Sequence, residues 1–301
     1  VRVPFSTAVP QKAVLDIDNC LLCGKCEKAC PVGAIDFTQQ PQHFSIEATA
    51  IVLATGFELT QLGAKKEYGG GKLPNVIDPL MMERFLAPTG PYGRVLRPGD
   101  GMEPTTIAYV QCAGSRDQTQ GIEYCSRVCC MYAIKQAMLI SGALPLAEIT
   151  IYYMDIRTFG KGYEQFYQNA KAMGVEFVRG KVASIREDEK HNPIIKVELT
   201  EEGRIIERTH DLVVLSLGMI PTASPSTFGL LPSSDGFIYI PALNASPSAT
   251  QRPGIFITGA AGGPMDIVDS IVTAGSAASE ASAYIREKTG MPVTQQEVAY
   301  A

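Results

Sequence analysis

Hydrophobic residues first separate the chain into runs of two periods. IEATAIVLATGF (residues 46–57) is a β-rich apolar run closing on Thr-Gly, the pattern of a buried parallel strand. Beyond a Gly- and Pro-rich stretch, TIAYVQ (106–111), EITIYYMD (148–155), the segment 175–179, LVVLSL (212–217) and GIFIT (254–258) read as further strands. Helical patterning falls at 79–86, 127–140, 163–173 and an Ala/Ser-rich stretch from about 267 to 288. The runs KVASIRED, PIIKVELT and RIIERTHD predict an antiparallel meander. Residues 1–14, with Pro4 and Pro10, read as an extended arm. The alternation of strands and helices predicts an α/β fold.

At 301 residues the chain has the length of about two domains. Apolar residues at 46% and charged residues at 19% describe an ordinary globular protein. A formal net charge of −5 gives no basic footprint for nucleic acid, and no window is apolar enough for a membrane span. The N-terminus lacks an initiating Met and the apolar core of a signal peptide, so the chain is expected to start inside a longer product or after processing. Without a secretory signal, the eight cysteines point to ligands in a reducing cytoplasm rather than to disulfides.

Those cysteines fall into two groups. Cys20-x2-Cys23-x2-Cys26-x3-Cys30-Pro31 is the bacterial ferredoxin run of a [4Fe–4S] cluster. Its short spacers wrap a loop around cluster corners, Gly24 allows close approach, and VGAIDF suggests a helix-to-strand exit. A four-Cys zinc site is the alternative, although zinc knuckles usually have a longer spacer. Two assignments stay open for Cys30: the fourth ligand of this cluster, or a ligand of a cluster shared with another segment.

Cys112-x12-Cys125-x3-Cys129-Cys130 follows the strand 106–111, where a dinucleotide-binding unit would carry its glycine fingerprint. Ser126 is placed to cap the next helix, with Cys129 and Cys130 in its first turn. There the unpaired N–H groups would favour an anionic thiolate-ligated cluster, with Arg116 and Arg127 offsetting its charge. A second [4Fe–4S] cluster is the expectation; zinc, a reactive dithiol or four core thiols are the alternatives. His43, His191 and His210 read as solvated loop histidines.

ATGF (54–57) and GIFITGAAGGPMDI (254–267) resemble the flavin half-sites of thioredoxin reductase-like flavoproteins. Thr55, Gly56, Gly259, Asp266 and Ile267 become candidate FAD-binding positions, the last two opening a helix aimed at the flavin. Lys135, on the cluster helix, is either a solvated lysine or a contact of flavin N5. No glycine fingerprint for the FAD pyrophosphate precedes them.

PFSTAVP, the ferredoxin run with AIDF, ATGFE, EYGGGKLPNVI, QCAGSRD, YCSRVCCMYAIKQA, YMDIRTFGKGYEQFY, DLVVLSLGMIP and GPMDIVDS together resemble the A subunits of heterodisulfide reductases over nearly the whole chain. The resemblance implies a thioredoxin reductase-like, two-dinucleotide-domain flavoprotein with a ferredoxin-like [4Fe–4S] insert. Its parts would be a cluster segment over 1–44, FAD-domain parts at 45–103 and 221–301, and a Rossmann domain repurposed for a cluster at 104–220. It implies two clusters, FAD, and Lys135 as the flavin-contacting, catalytic lysine. The implied function is electron transfer with flavin-based bifurcation between ferredoxin and the CoM-S-S-CoB disulfide. The implied partners are B- and C-like subunits, a hydrogenase- or dehydrogenase-linked donor, ferredoxin, and an upstream segment or separate polypeptide supplying the missing FAD half. A quinone-interacting or sulfate-reduction relative, and a cluster-carrying scaffold without flavin, are the other readings.

Overall fold

The computed structural model describes residues 14–15, 20–38, 40, 43, 45–88, 90–222 and 224–290. The extended arm expected at the N-terminus lies, up to residue 13, outside the described residues. The frame is a seven-stranded mixed sheet of order β3-β9-β4-β5-β6-β7-β8. Its parallel half consists of β3 (Val76–Ile77), β9 (Leu212–Leu215), β4 (Thr106–Val110), β5 (Glu148–Tyr153) and the start of β6 (Glu176–Glu187). These strands read as unbroken apolar runs because both faces are covered. On one face Ile107, Tyr109, Ile149 and Ile151 pack under α2 (Pro79–Leu86), α3 (Cys129–Ala143) and α4 (Tyr163–Ala172). On the other, Ala108, Val110 and Val213 pack against Tyr68 and the inner face of the meander.

The expected strand at 175–179 and the first meander strand are one element. β6 pairs parallel with β5 over its first residues and antiparallel with β7 (Pro193–Leu199) beyond them, and β8 (Arg204–Thr209) completes the meander. Gly180 sits where the pairing changes: an added Cβ would meet the Glu198 carbonyl oxygen at 2.6 Å. Close strand approach is the reason for glycine there.

A smaller unit holds β1 (Ile51–Leu53) parallel to β11 (Ile255–Ile257), with α5 (Ile267–Thr289) packed behind them. Only Ile51–Leu53 of the run 46–57 is this strand, and Ile51 and Val52 are exposed. An antiparallel pair, β2 (Phe57–Leu59) with β10 (Met219–Pro221), carries the chain between the two units.

Residues between β2 and β4 also reach the central sheet. Val76–Ile77 pairs with β9, Tyr68 Oη donates to the Val182 carbonyl at 3.0 Å, and Arg97 is tied to Asp211 at 3.2 Å. Within the stretch 45–103 expected to belong with the FAD domain, Tyr68, Val76, Ile77 and Arg97 thus contact the central sheet and its meander. No described helix is long and apolar enough to cross a membrane.

His210 corrects the expectation of a solvated loop histidine. It is 5% exposed, and its Nε2 lies 2.9 Å from Tyr152 Oη. His43 and His191 are exposed as expected. Burial, reinforced by Arg208, lowers the His210 pKa to about 4. The folded protein thus holds this imidazole neutral where the unfolded chain, with a pKa near 6.5, would protonate it. Stability is fully expressed above pH 6.5 and falls as the pH drops toward 4, by about 2–3 kcal/mol. Urea unfolding at pH 7 and pH 4.5 should show this loss, and His210→Gln should remove the larger part of the difference.

Candidate iron–sulfur and flavin site

The loop from Gln111 to Val128 crosses the C-terminal mouth of the sheet, between β4 and α3. Its backbone is tightly curled: Cys112, Arg116 and Arg127 all have positive φ, at 58°, 56° and 63°. L-residues seldom hold this conformation, so the packing around the loop enforces it. Gly114, with φ 113°, rests on Thr60, whose Oγ1 donates to the Gly114 carbonyl at 2.9 Å. Gly218 lies flat against the same loop, where a Cβ would collide with the Gly114 oxygen.

Cys129 and Cys130 occupy the first turn of α3, as the sequence predicts, but Ser126 does not cap it. Val128 is the N-cap residue, without a side-chain cap bond, and Ser126 Oγ accepts the Met219 N–H at 2.8 Å instead. The serine pins β10 to the loop, which leaves the first-turn N–H groups of α3 without a side-chain cap.

Cys112, Cys125, Cys129 and Cys130 are all free thiols and lie close enough to influence one another's ionisation. Burial pushes the Cys112 thiol up to about 11 and Cys129 to about 12, and it raises Cys130. A pocket that resists bare thiolates suits a ligand that removes the protons and spreads the charge. Among the described residues, no three His, Cys, Asp or Glu side chains converge tightly enough for a single metal ion.

Of the two arginines, Arg116 stays beside Cys112 and bonds Asp155. Arg127 donates its backbone N–H to Cys125 Sγ at 3.4 Å while its guanidinium leaves the thiols. That group donates to the Pro264 carbonyl at 3.3 Å, pairs with Asp269 at 2.6 Å and covers the Phe159 ring. Arg127 therefore joins the cysteine loop to the loop before α5. A cavity of about 130 Å³ lies between them, lined by Arg127, Val128, Met131, Phe159, Tyr163 and Asp266.

The candidate flavin positions share one edge. Leu53 and Ile257 are register partners, and Thr258 N–H donates to the Leu53 carbonyl at 2.9 Å. Thr55 and Gly56 thus emerge beside Gly259, whose N–H donates to Thr273 Oγ1 at 3.0 Å. Gly56 and Gly263 have positive φ and open space over the missing Cβ, so a flat ligand could approach the backbone there. Asp266 is the N-cap of α5, its Oδ1 accepting from Asp269 N–H at 2.9 Å, and Ile267 is 78% exposed. These residues fit a flavin edge set against a helix N-terminus. Asp266→Ala should lower the thermal-unfolding stability by about 1 kcal/mol through loss of the cap, and Asp266→Asn should retain most of it.

Lys135 lies in the second turn of α3. Its Nζ sits 2.7 Å from both carboxylate oxygens of Glu83 on α2, so the structure places it in an ion pair between helices.

In the first cysteine group, α1 is the single turn Lys25–Ala29, entered through left-handed Gly24. Leu22 N–H donates to Cys20 Sγ at 3.4 Å and Ala34 N–H to Cys30 Sγ at 3.3 Å. The N–H groups of Ala34 and Val32 lower the Cys30 pKa. Where VGAIDF suggests a helix-to-strand exit, no strand forms among the described residues 32–38; Asp36 Oδ1 there accepts from Thr38 N–H at 2.8 Å.

The 4Fe-4S binding domain family matches residues 13–36. The iron-sulfur A subunit of CoB–CoM heterodisulfide reductase from Methanocaldococcus jannaschii is 44% identical over 289 residues, covering 94% of this chain and 44% of that protein. The A subunit of the ferredoxin/F(420)H(2)-dependent CoB-CoM heterodisulfide reductase from Methanosarcina acetivorans is 41% identical over 285 residues, covering 93% of this chain and 36% of that protein. The chain belongs to the family of heterodisulfide reductase A subunits. It spans less than half the length of these relatives. A Lactococcus lactis thioredoxin reductase superposes with a TM-score of 0.50 at 18% identity, over 79% of this chain and 66% of that one. That likeness supports the thioredoxin reductase-like fold alone. Around the cysteine loop, sequence reasoning passed over Asp155, Tyr132 and Gly218. Of these, Tyr132 was detectable, since it follows Cys129 by three positions in a helix and shares its face.

Proposed function

We propose that this chain is the flavin and iron–sulfur electron-transfer part of a heterodisulfide reductase-type oxidoreductase. One observation carries the reading. Four free thiols crowd the sheet mouth where a dinucleotide-binding unit would hold a pyrophosphate, and Arg127 ties their loop to the candidate flavin edge. Cys112, Cys125, Cys129 and Cys130 would hold one [4Fe–4S] cluster. Cys20, Cys23 and Cys26 would hold another, with Cys30 as its fourth ligand or as a ligand shared with a further segment. Thr55, Gly56, Gly259, Asp266 and Ile267 would line FAD, and Lys135 would act on it from the cluster helix. FAD supplies two-electron chemistry when bound, and the clusters take single electrons.

The residues of the chain keep those paths separate. The buried first turn of α3 shields Cys129 and Cys130 from water, and the more exposed loop at Cys20–Cys30 presents the other group to an external donor. Such an arrangement suits bifurcation between ferredoxin and CoM-S-S-CoB, the substrates named for the relatives. The disulfide-cleaving centre would lie on B- and C-like partner subunits, and a hydrogenase- or dehydrogenase-linked subunit would feed electrons in.

The test is EPR of the natively purified complex, frozen within milliseconds of mixing with reduced ferredoxin. The reading expects cluster signals to change together with bleaching of the flavin absorbance. Flavin reduction with no cluster response would contradict it.

A further inference from the structure

Behind the buried thiols stand two hydroxyls that no role described so far accounts for. Ser216, directly after β9, is 0% exposed and its Oγ has no hydrogen-bond partner. Burying an unpaired hydroxyl is unfavourable by about 1–3 kcal/mol, so its presence marks a place where a partner belongs. Beside it, Tyr132 Oη donates to the Leu217 carbonyl at 3.0 Å, and Cys129 Sγ donates to the same carbonyl at 3.5 Å. Sharing that acceptor brings the Tyr132 hydroxyl beside Cys129 Sγ, and Ser216 precedes the shared carbonyl by one residue.

Cys129 can donate to Leu217 only as a thiol. As an iron ligand it has lost that proton and becomes an acceptor. A hydroxyl on its own helix face is that of Tyr132, and the buried Ser216 hydroxyl beside the Leu217 carbonyl still lacks a partner. We propose that Tyr132, oriented by Ser216, donates a hydrogen bond to the Cys129 sulfur in the loaded protein and thereby sets the potential of that cluster. The inference rests on the reading of Cys129 as a cluster ligand. Hydrogen bonds to cluster sulfurs favour the reduced, more negative state and raise the potential. Neither residue touches the reacting atoms; both act as positioning groups on the ligand.

The experiment is an EPR-monitored redox titration of the complex carrying wild-type chain, Tyr132→Phe or Ser216→Ala. Tyr132→Phe should lower the reduced-to-oxidised ratio of this cluster about tenfold at a fixed poise, which is about 59 mV for a one-electron couple. Ser216→Ala should shift it in the same direction by less. Iron content and the visible spectrum should stay unchanged in both. Ser216→Ala removes a single buried oxygen and decides the matter if Tyr132→Phe fails to load. Unmoved potentials in loaded variants would overturn this inference alone, whereas a wild-type complex lacking the cluster signal would overturn the reading beneath it.

Discussion

Replacing Cys129 with Ser should remove about half of the iron, from about eight to about four atoms per chain, while the protein stays folded. Cys129 is 5% exposed and its thiol donates to the Leu217 carbonyl. A serine hydroxyl can make that bond in the same space, so no buried carbonyl loses its partner. What serine cannot supply is a soft thiolate for iron. The remaining iron should keep the signature of the Cys20–Cys30 group, and Cys23→Ala should produce the complementary loss. Iron analysis with EPR on the anaerobically purified variants reads both. Unchanged iron in Cys129→Ser would remove this residue from the ligand set.

The second large effect belongs to a glycine. Gly218→Ala should destabilise the protein by about 1–3 kcal/mol and deplete the Cys112/Cys125/Cys129/Cys130 cluster selectively. An added Cβ would collide with the Gly114 oxygen, and it would meet Ser126 Oγ at 2.7 Å and Ser115 Cβ at 3.0 Å. None of these can yield cheaply. The Gly114 carbonyl is held by Thr60, Ser126 Oγ accepts from Met219, and Ser115 is 2% exposed. The strain therefore passes into the cysteine loop and displaces Cys112 and Cys125. Gly275→Ala inside α5, where nothing lies within 4 Å of an added Cβ, should leave iron unchanged and raise stability by about 0.5–1 kcal/mol. Chemical denaturation and iron content of the two variants test the contrast.

The α/β fold class was legible because its signals are local. The helix expected at 79–86 forms over those residues, with Asp78 accepting from Met81 N–H at 2.8 Å at its start. The apolar runs of β4, β5 and β9 announce a buried parallel sheet, and both cysteine spacings are visible without coordinates. The attachment of Tyr68, Val76, Ile77 and Arg97 to the central sheet was not legible, because their partners are distant in sequence. A two-residue strand, a tyrosine hydroxyl on Val182 and an arginine on Asp211 leave no periodic trace. Ser126 has the spacing of a helix cap, yet β10 claims its hydroxyl from 93 positions away. His210 reads as a turn residue between β8 and β9, and its contact with Tyr152, 58 positions away, leaves no trace in the sequence.

The central claim is that this chain carries iron–sulfur clusters beside a flavin. Its most direct test is iron, sulfide and flavin quantitation on the natively purified complex, together with the intact mass of this polypeptide. The account predicts two [4Fe–4S] clusters assignable to the chain, about eight irons, with FAD retained. A complex that holds iron without flavin would contradict it and favour a cluster-carrying scaffold.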